Sequence, residues 1–347
     1  MEYSFEIKDN LLTSLDEYHR KSMLMEKHII EKKPFIGNIE KEVDDDLIFK
    51  VPIYDMGSRK YAAFCSFTEA VWRKKDDVKG NGNYFTHHEI KQDIDWFMLF
   101  YLFRLCGSGI NYKPKTHELF ESFKGTHGFG NFWIVNSILN NKFSSNEWIE
   151  DLKNTNKPFT DNKGYLLPQF TFKGQESNHL KKFVLDYSRD LVEHIYNFVR
   201  NSKKDIYQIT DEGNNWLKSK GFKKQNFVLT AFAADLSEYF PEMVNRKGMV
   251  YAGTNAVRCI KAIFPKKNRK ISEFEYINDV LRFQSERYKL NPIDCEDSRN
   301  CDVIRYFQEY QSQHHILHNN GKQMKNNSVL KKIIGEKKYY EFVKDLK

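Results

Sequence analysis

Three carboxylates stand close together late in the chain, Asp294, Glu296 and Asp297, after the turn Asn291-Pro292-Ile293. Crowded carboxylates repel each other's charge, so one can be raised in pKa until it takes a proton near neutral pH. The same cluster could hold Mg²⁺, which takes a few carboxylates together with phosphate oxygens and water. It could also be the acidic first turn of a helix, where negative charge meets the positive end of the helix dipole. Spacing alone leaves all three readings open. Downstream runs Cys301-Asp302-Val303-Ile304-Arg305-Tyr306-Phe307. Arg305 can grip a phosphate or a carboxylate through two parallel hydrogen bonds, or pair with Asp302 along one helix face.

Two glycine turns offer a second chemistry, anion binding. Arg104 leads into Cys106-Gly107-Ser108-Gly109, and Thr126-His127-Gly128-Phe129-Gly130-Asn131 follows later. Glycine lets the backbone approach a ligand closely and point N–H groups at an anion. His127, set between small residues, could donate to a phosphate or serve as an acid near neutral pH. Both motifs also fit plain turns at helix ends. The adjacent pairs His87/His88 and His314/His315 point to different helix faces, which argues against a metal site in either. The five cysteines, Cys65, Cys106, Cys259, Cys295 and Cys301, match no zinc or iron–sulfur spacing. They read as reduced thiols of a cytoplasmic protein.

These residues need elements to position them. Thr86 and Glu89 form a T-x-x-E capping box, and Trp96–Phe103 is apolar throughout. A helix with no wet face belongs in the middle of a fold. Further helices are expected over Ser4–Lys33, Ser58–Lys75, His117–Phe123, Asn131–Lys142, Glu176–Arg200, Ile206–Lys220, Asn226–Tyr239, Gly253–Phe264 and Lys331–Leu346, from apolar residues at three-and-four spacing. Ser272–Tyr288 is another, with Ser272 as its N-cap. Leu47–Tyr54 alternates and reads as a short extended piece. The sum is a mainly α fold, a helical bundle with little β. Residues 1–55 read as an N-terminal helical extension, 56–320 as a catalytic helical domain and 321–347 as a C-terminal helix. The proline- and glycine-bearing stretch 154–174 marks a sub-domain boundary or lid.

Composition narrows the partners. Lys and Arg number 55 against 47 Asp and Glu, giving a formal charge of +8. A basic chain suits a polyanion. Aromatic residues make up 15%, with 28 Phe and 19 Tyr, which is enough to fill a core and still stack on bases. The start, MEYSFEIKDN, shows no secretory signal pattern. No apolar run reaches the length of about eighteen residues that a membrane span needs, so no membrane partner is expected.

Leu105-Cys106-Gly107-Ser108-Gly109-Ile110 fits the hairpin of a helix-hairpin-helix element, whose backbone N–H groups hold a DNA phosphate. A base-excision glycosylase would need an aspartate soon after it, yet none occurs before Asp151. Four pieces together resemble the alpha-glutamyl/putrescinyl thymine pyrophosphorylases, or amino acid:DNA transferases. They are Phe103-Arg104-Leu105-Cys106-Gly107-Ser108-Gly109, His127-Gly128-Phe129-Gly130-Asn131, Tyr251-Ala252-Gly253-Thr254-Asn255-Ala256, and Asp294-x-Glu296-Asp297 with Cys301-Asp302 and Arg305-Tyr306. Thr254 stands where that family is expected to carry a proline, and Cys106 where a small polar residue is expected.

The resemblance implies a fold related to helix-hairpin-helix DNA glycosylases. It implies action on bacteriophage DNA carrying 5-(pyrophosphoryloxymethyl)uracil, in which an amino acid or polyamine displaces pyrophosphate. The base must leave the duplex to be reached. Asp294 or Asp297 would take the proton from the amine, and Arg104 and His127 would face the leaving group. Gly107, Ser108, Gly109, Asn131, Asn255 and Arg305 are the expected substrate- and phosphate-binding residues. Mg²⁺ is the one cofactor the carboxylates could take. Two alternatives are an N-glycosylase or lyase acting on a modified base, and a nucleic-acid-binding protein without catalysis.

Overall fold

The computed structural model describes most of residues 3–23, residues 90–106, the backbone of 110–113 and 118–121, residues 134, 137–138, 140–154, 179–267 and 270–301. Of the described residues 70% are helical and 4% lie in strands, so the protein is mainly α. The chain divides into two compact units, Met1–Tyr61 with Ala252–Lys347, and Ala62–Tyr251 between them.

The unit Ala62–Tyr251 is built around α1, Asp93–Cys106, in which every residue from Asp95 to Cys106 is buried. Full burial of one large apolar side chain is worth about 1.5–3 kcal/mol, so an unbroken apolar run is driven inside as a whole. The expected capping box at Thr86 lies outside the described residues. After α1 comes β1, Ile110–Lys113, paired antiparallel with β2, Glu118–Glu121, so that Ile110 faces Glu121 and Lys113 faces Glu118. This overturns two expectations. The stretch His117–Phe123 is not a helix, because pairing with β1 gives its backbone a partner that local sequence does not reveal. A helix-hairpin-helix element would start its second helix near Ile110, and a strand stands there instead.

Helix α2, Ser145–Asn154, is tied to α1 by Asp95, whose Oδ1 accepts from the Ser145 N–H at 2.9 Å and from its hydroxyl at 2.6 Å. The expected single helix over Glu176–Arg200 is two, α3 (His179–Asp186) and α4 (Ser188–Val199), broken at Tyr187 with φ −133° and ψ −23°. The Ser188 hydroxyl bonds back to the Val184 carbonyl, a contact that loosens and bends a helix. The two-residue strand β3 (Lys204–Asp205) pairs parallel with β4 (Val244–Asn245).

Between them lie α5, Ile206–Ser219, and α6, Asn226–Tyr239. The α5 start carries a full capping box, Asp205 with Gln208. Thr210 meets Thr230 at 3.2 Å, and Asn214 donates to Asn226 at 2.7 Å, which is the pairing of an antiparallel hairpin. The α1 rings pack on this frame: Phe97 against Tyr196, Phe232 and Phe240, and Phe100 stacked on Tyr239 at 4.9 Å.

In the other unit, Phe5 forms an antiparallel bridge with Lys266, so the chain is extended at Ser4–Phe5 and the described helical residues begin at Asp9. Leu11, Leu12, Leu15 and Tyr18 are buried, as their spacing implies, while Met23 is exposed. Helix α7 is Thr254–Ile263 and α8 is Glu273–Tyr288. Ser272 caps α8 as expected, and the reciprocal bond from Glu275 completes the box. Then come a single turn, α9 (Pro292–Asp294), and a π-helix, Cys295–Cys301. The expected elements at Leu47–Tyr54, Ser58–Lys75 and Lys331–Leu346 lie outside the described residues, as does almost all of 154–174. Among the described residues no helix is long and apolar enough to cross a membrane.

Candidate functional site

A group of buried charge surrounds the π-helix. Asp294, Glu296 and Arg299 are all buried, and Arg299 is at 0% exposure. Burying a charge costs several kcal/mol unless partners satisfy it, so such a grouping has to be built deliberately by the fold. π-Helical turns are rare and recur at functional sites.

Each charge has a visible partner. Asp294 Oδ2 accepts from the Asn291 side chain at 3.0 Å. Glu296 Oε1 accepts from the Gly253 N–H at 2.7 Å, reaching back 43 residues to the start of α7. Gly253 is the α7 N-cap and has no side chain of its own to cap with, so a carboxylate from the π-helix supplies both the acceptor and the charge that the helix end favours. Asp297 is half-buried.

Arg299 Nε donates to His19 Nδ1 at 2.8 Å, and its Nη2 lies 3.6 Å from the Met23 sulfur. Burial, with the Arg299 charge beside it, pushes His19 down to about 4 against a weaker upward pull from Asp16. The imidazole is therefore neutral at neutral pH, with its proton on Nε2 because Nδ1 accepts. It stacks on Tyr288 at 4.4 Å. Asp16 closes the group: it accepts from Arg287 at 2.9 and 2.7 Å and from the Tyr288 hydroxyl at 2.9 Å. Burial alone would raise the Asp16 pKa, but these hydrogen bonds outweigh it and hold the carboxyl below its usual value. Asn300 and Gln284 exchange amide hydrogen bonds at 2.6 and 3.1 Å and pin the π-helix to α8.

Of the expected site residues, Asp294 and Asp297 belong to this group, and Asn255 sits half-buried in the first turn of α7, two positions after Gly253. Arg104 belongs to the other unit, where it forms a buried ion pair with Asp235. Its Nε and Nη2 both donate to the Asp235 carboxylate. Gly107, Ser108, Gly109, His127, Asn131 and Arg305 lie outside the described residues. Sequence reasoning missed Arg299, His19 and Asp16. Arg299 stood in view beside the acidic cluster, but no spacing rule links it to His19, 280 positions away.

A carboxylate fixed by an amide, as Asp294 is by Asn291, can accept a proton from a bound nucleophile without moving. Among the described residues no group of three or more His, Cys, Asp or Glu side chains is arranged to hold a metal ion. The described cysteines Cys106, Cys259 and Cys295 are free and buried, and burial pushes each thiol well up, away from reactive thiolate. Comparison with protein-family models, curated proteins and solved structures gave no match to this chain.

Proposed function

We propose that the protein is a DNA-modifying transferase in which an amine displaces pyrophosphate from 5-(pyrophosphoryloxymethyl)uracil. The observation that carries this reading is the bond between the Gly253 N–H and Glu296. It joins two of the four sequence pieces on which the resemblance rests, Tyr251–Ala256 and Asp294–Asp297, which are far apart in the chain. In the reaction the amine nitrogen bonds to the methylene carbon, and the carbon–oxygen bond to pyrophosphate breaks. The nitrogen sheds a proton to a carboxylate, and Asp294, fixed by Asn291, is the residue assigned that role.

The test is mass spectrometry of nucleosides from DNA co-expressed with this chain and the kinase activity that would pyrophosphorylate the hydroxymethyl base. An aminated nucleoside is expected with the native chain and is lost with Asp294→Asn at unchanged thermal stability. Abasic sites in place of an aminated base would point to a glycosylase. Equal product from Asp294→Asn would remove Asp294 from the mechanism.

A further inference from the structure

We infer that the turn between α5 and α6 is a docking surface for the phosphate backbone of nucleic acid. Between Glu212 and Asp235 the chain contains no acidic residue, and within that stretch stand Lys218, Lys220, Lys223 and Lys224. All four are exposed. Among the described residues no carboxylate is seen to pair with any of the four. Such a patch keeps its full positive potential for a partner.

The turn holds these lysines in a fixed frame. Gly221 takes φ +83°, a left-handed conformation that glycine adopts without strain. Its N–H bonds to the Lys218 carbonyl at 3.0 Å and the Phe222 N–H to the Leu217 carbonyl at 2.9 Å, which closes α5 in a Schellman motif. Phe222 anchors the turn edge-on to Phe183 and Tyr187, at 5.0 Å from each. Asn214 accepts from the Gln225 N–H at 2.7 Å and fixes the entry to α6. No side chain caps α6, so the positive end of that helix adds to the field of the lysines.

The choice of nucleic acid follows from what lies among the charges. Phe227 is 46% exposed at the start of α6, and the Lys220 ammonium lies 5.6 Å from the centre of the half-buried Trp216 ring. Ammoniums with a ring between them match phosphates with a base or sugar between them. A surface for anionic lipid would need a broad apolar face to enter the headgroup layer, and among the described residues of this turn Phe227 alone is a large exposed apolar side chain. The inference deepens the proposed function and rests on it only for the choice of DNA over RNA.

The experiment measures binding of the full chain to a labelled random-sequence DNA duplex over a range of salt. The variant K218A/K220A/K223A/K224A is compared with K91A/K203A/K247A/K267A, which removes four exposed lysines elsewhere. The hairpin variant is expected to lose about tenfold or more in affinity, and its log–log salt slope to fall by about 2–4, since each phosphate contact contributes about 0.9. The control variant should change much less. Equal losses in both variants, or wild-type affinity and slope in the hairpin variant, would overturn the assignment. So would loss of binding to phosphatidylserine vesicles with DNA binding intact. Should the fourfold variant unfold, K223A/K224A, confined to the exposed turn, is expected to show about half the change in slope. DNA binding that is intact and hairpin-dependent, with no aminated nucleoside formed, would reject the proposed reaction and leave this surface standing.

Discussion

Arg104 and Asp235 meet in a two-pronged ion pair inside the unit Ala62–Tyr251, Nε to Oδ2 at 2.6 Å and Nη2 to Oδ1 at 2.7 Å, with both residues buried. Removing one partner strands the other charge out of water. Arg104→Ala is expected to cost about 3–5 kcal/mol, read from urea unfolding. Replacing both by apolar residues of similar volume, Arg104→Met with Asp235→Leu, should recover most of that loss. A cost below about 1 kcal/mol for the single variant would show that the pair is not buried in solution. Where the full cost is found, loss of activity in Arg104→Ala reports on folding and not on phosphate binding.

Glu296 and Gly253 make a separable prediction. Glu296→Ala removes the acceptor at the start of α7 and should destabilise by about 1 kcal/mol, the usual worth of a helix cap. Glu296→Gln keeps an oxygen in place and should retain most of the stability. Thermal unfolding of the two variants side by side decides it: equal losses would mean that charge, and not the hydrogen bond, is what α7 uses.

Gly248 is required by space. A Cβ built there would lie 2.2 Å from the Asp205 Cβ, too close for any rotamer change to relieve. Because Asp205 is also the cap of α5, Gly248→Ala must shift the turn that starts this helix. A loss of about 1–3 kcal/mol is expected, typical of overpacking. Unchanged denaturant midpoint would contradict the close approach.

The pH dependence of stability has a defined sign. His19 is held at about 4 when folded, below its ordinary value of 6.5. Between those values the unfolded chain binds the extra proton, so stability falls as pH drops from about 6.5 towards 4. Asp16, whose pKa is lowered, contributes below that window, as pH falls through its ordinary value of 3.8 and beneath it. His19→Asn leaves an oxygen to accept from Arg299 and removes the titration. It should flatten the stability profile between pH 4 and 6.5, as measured by urea unfolding at stepped pH. A profile as steep as that of the native chain would place the acid sensitivity elsewhere.

Helix positions were legible in the sequence wherever the signal is local. Ser272 and Glu275 sit three apart and must satisfy each other's backbone N–H once α8 forms. The unbroken apolar run of α1 had only the interior to go to, and Pro241 stands just after the end of α6. The acidic stretch at Asp294 was visible as a cluster, but which chemistry it served was not. Pairings across long separations were not visible at all: Glu296 with Gly253, Arg299 with His19, Arg104 with Asp235. The same holds for β2, which became a strand because β1 was there to bond it, and for the break at Tyr187. Periodicity and caps act over one helical turn and are written in neighbouring residues. The partner of a buried charge is chosen by which side chains folding brings within reach, and no interval along the chain encodes that choice.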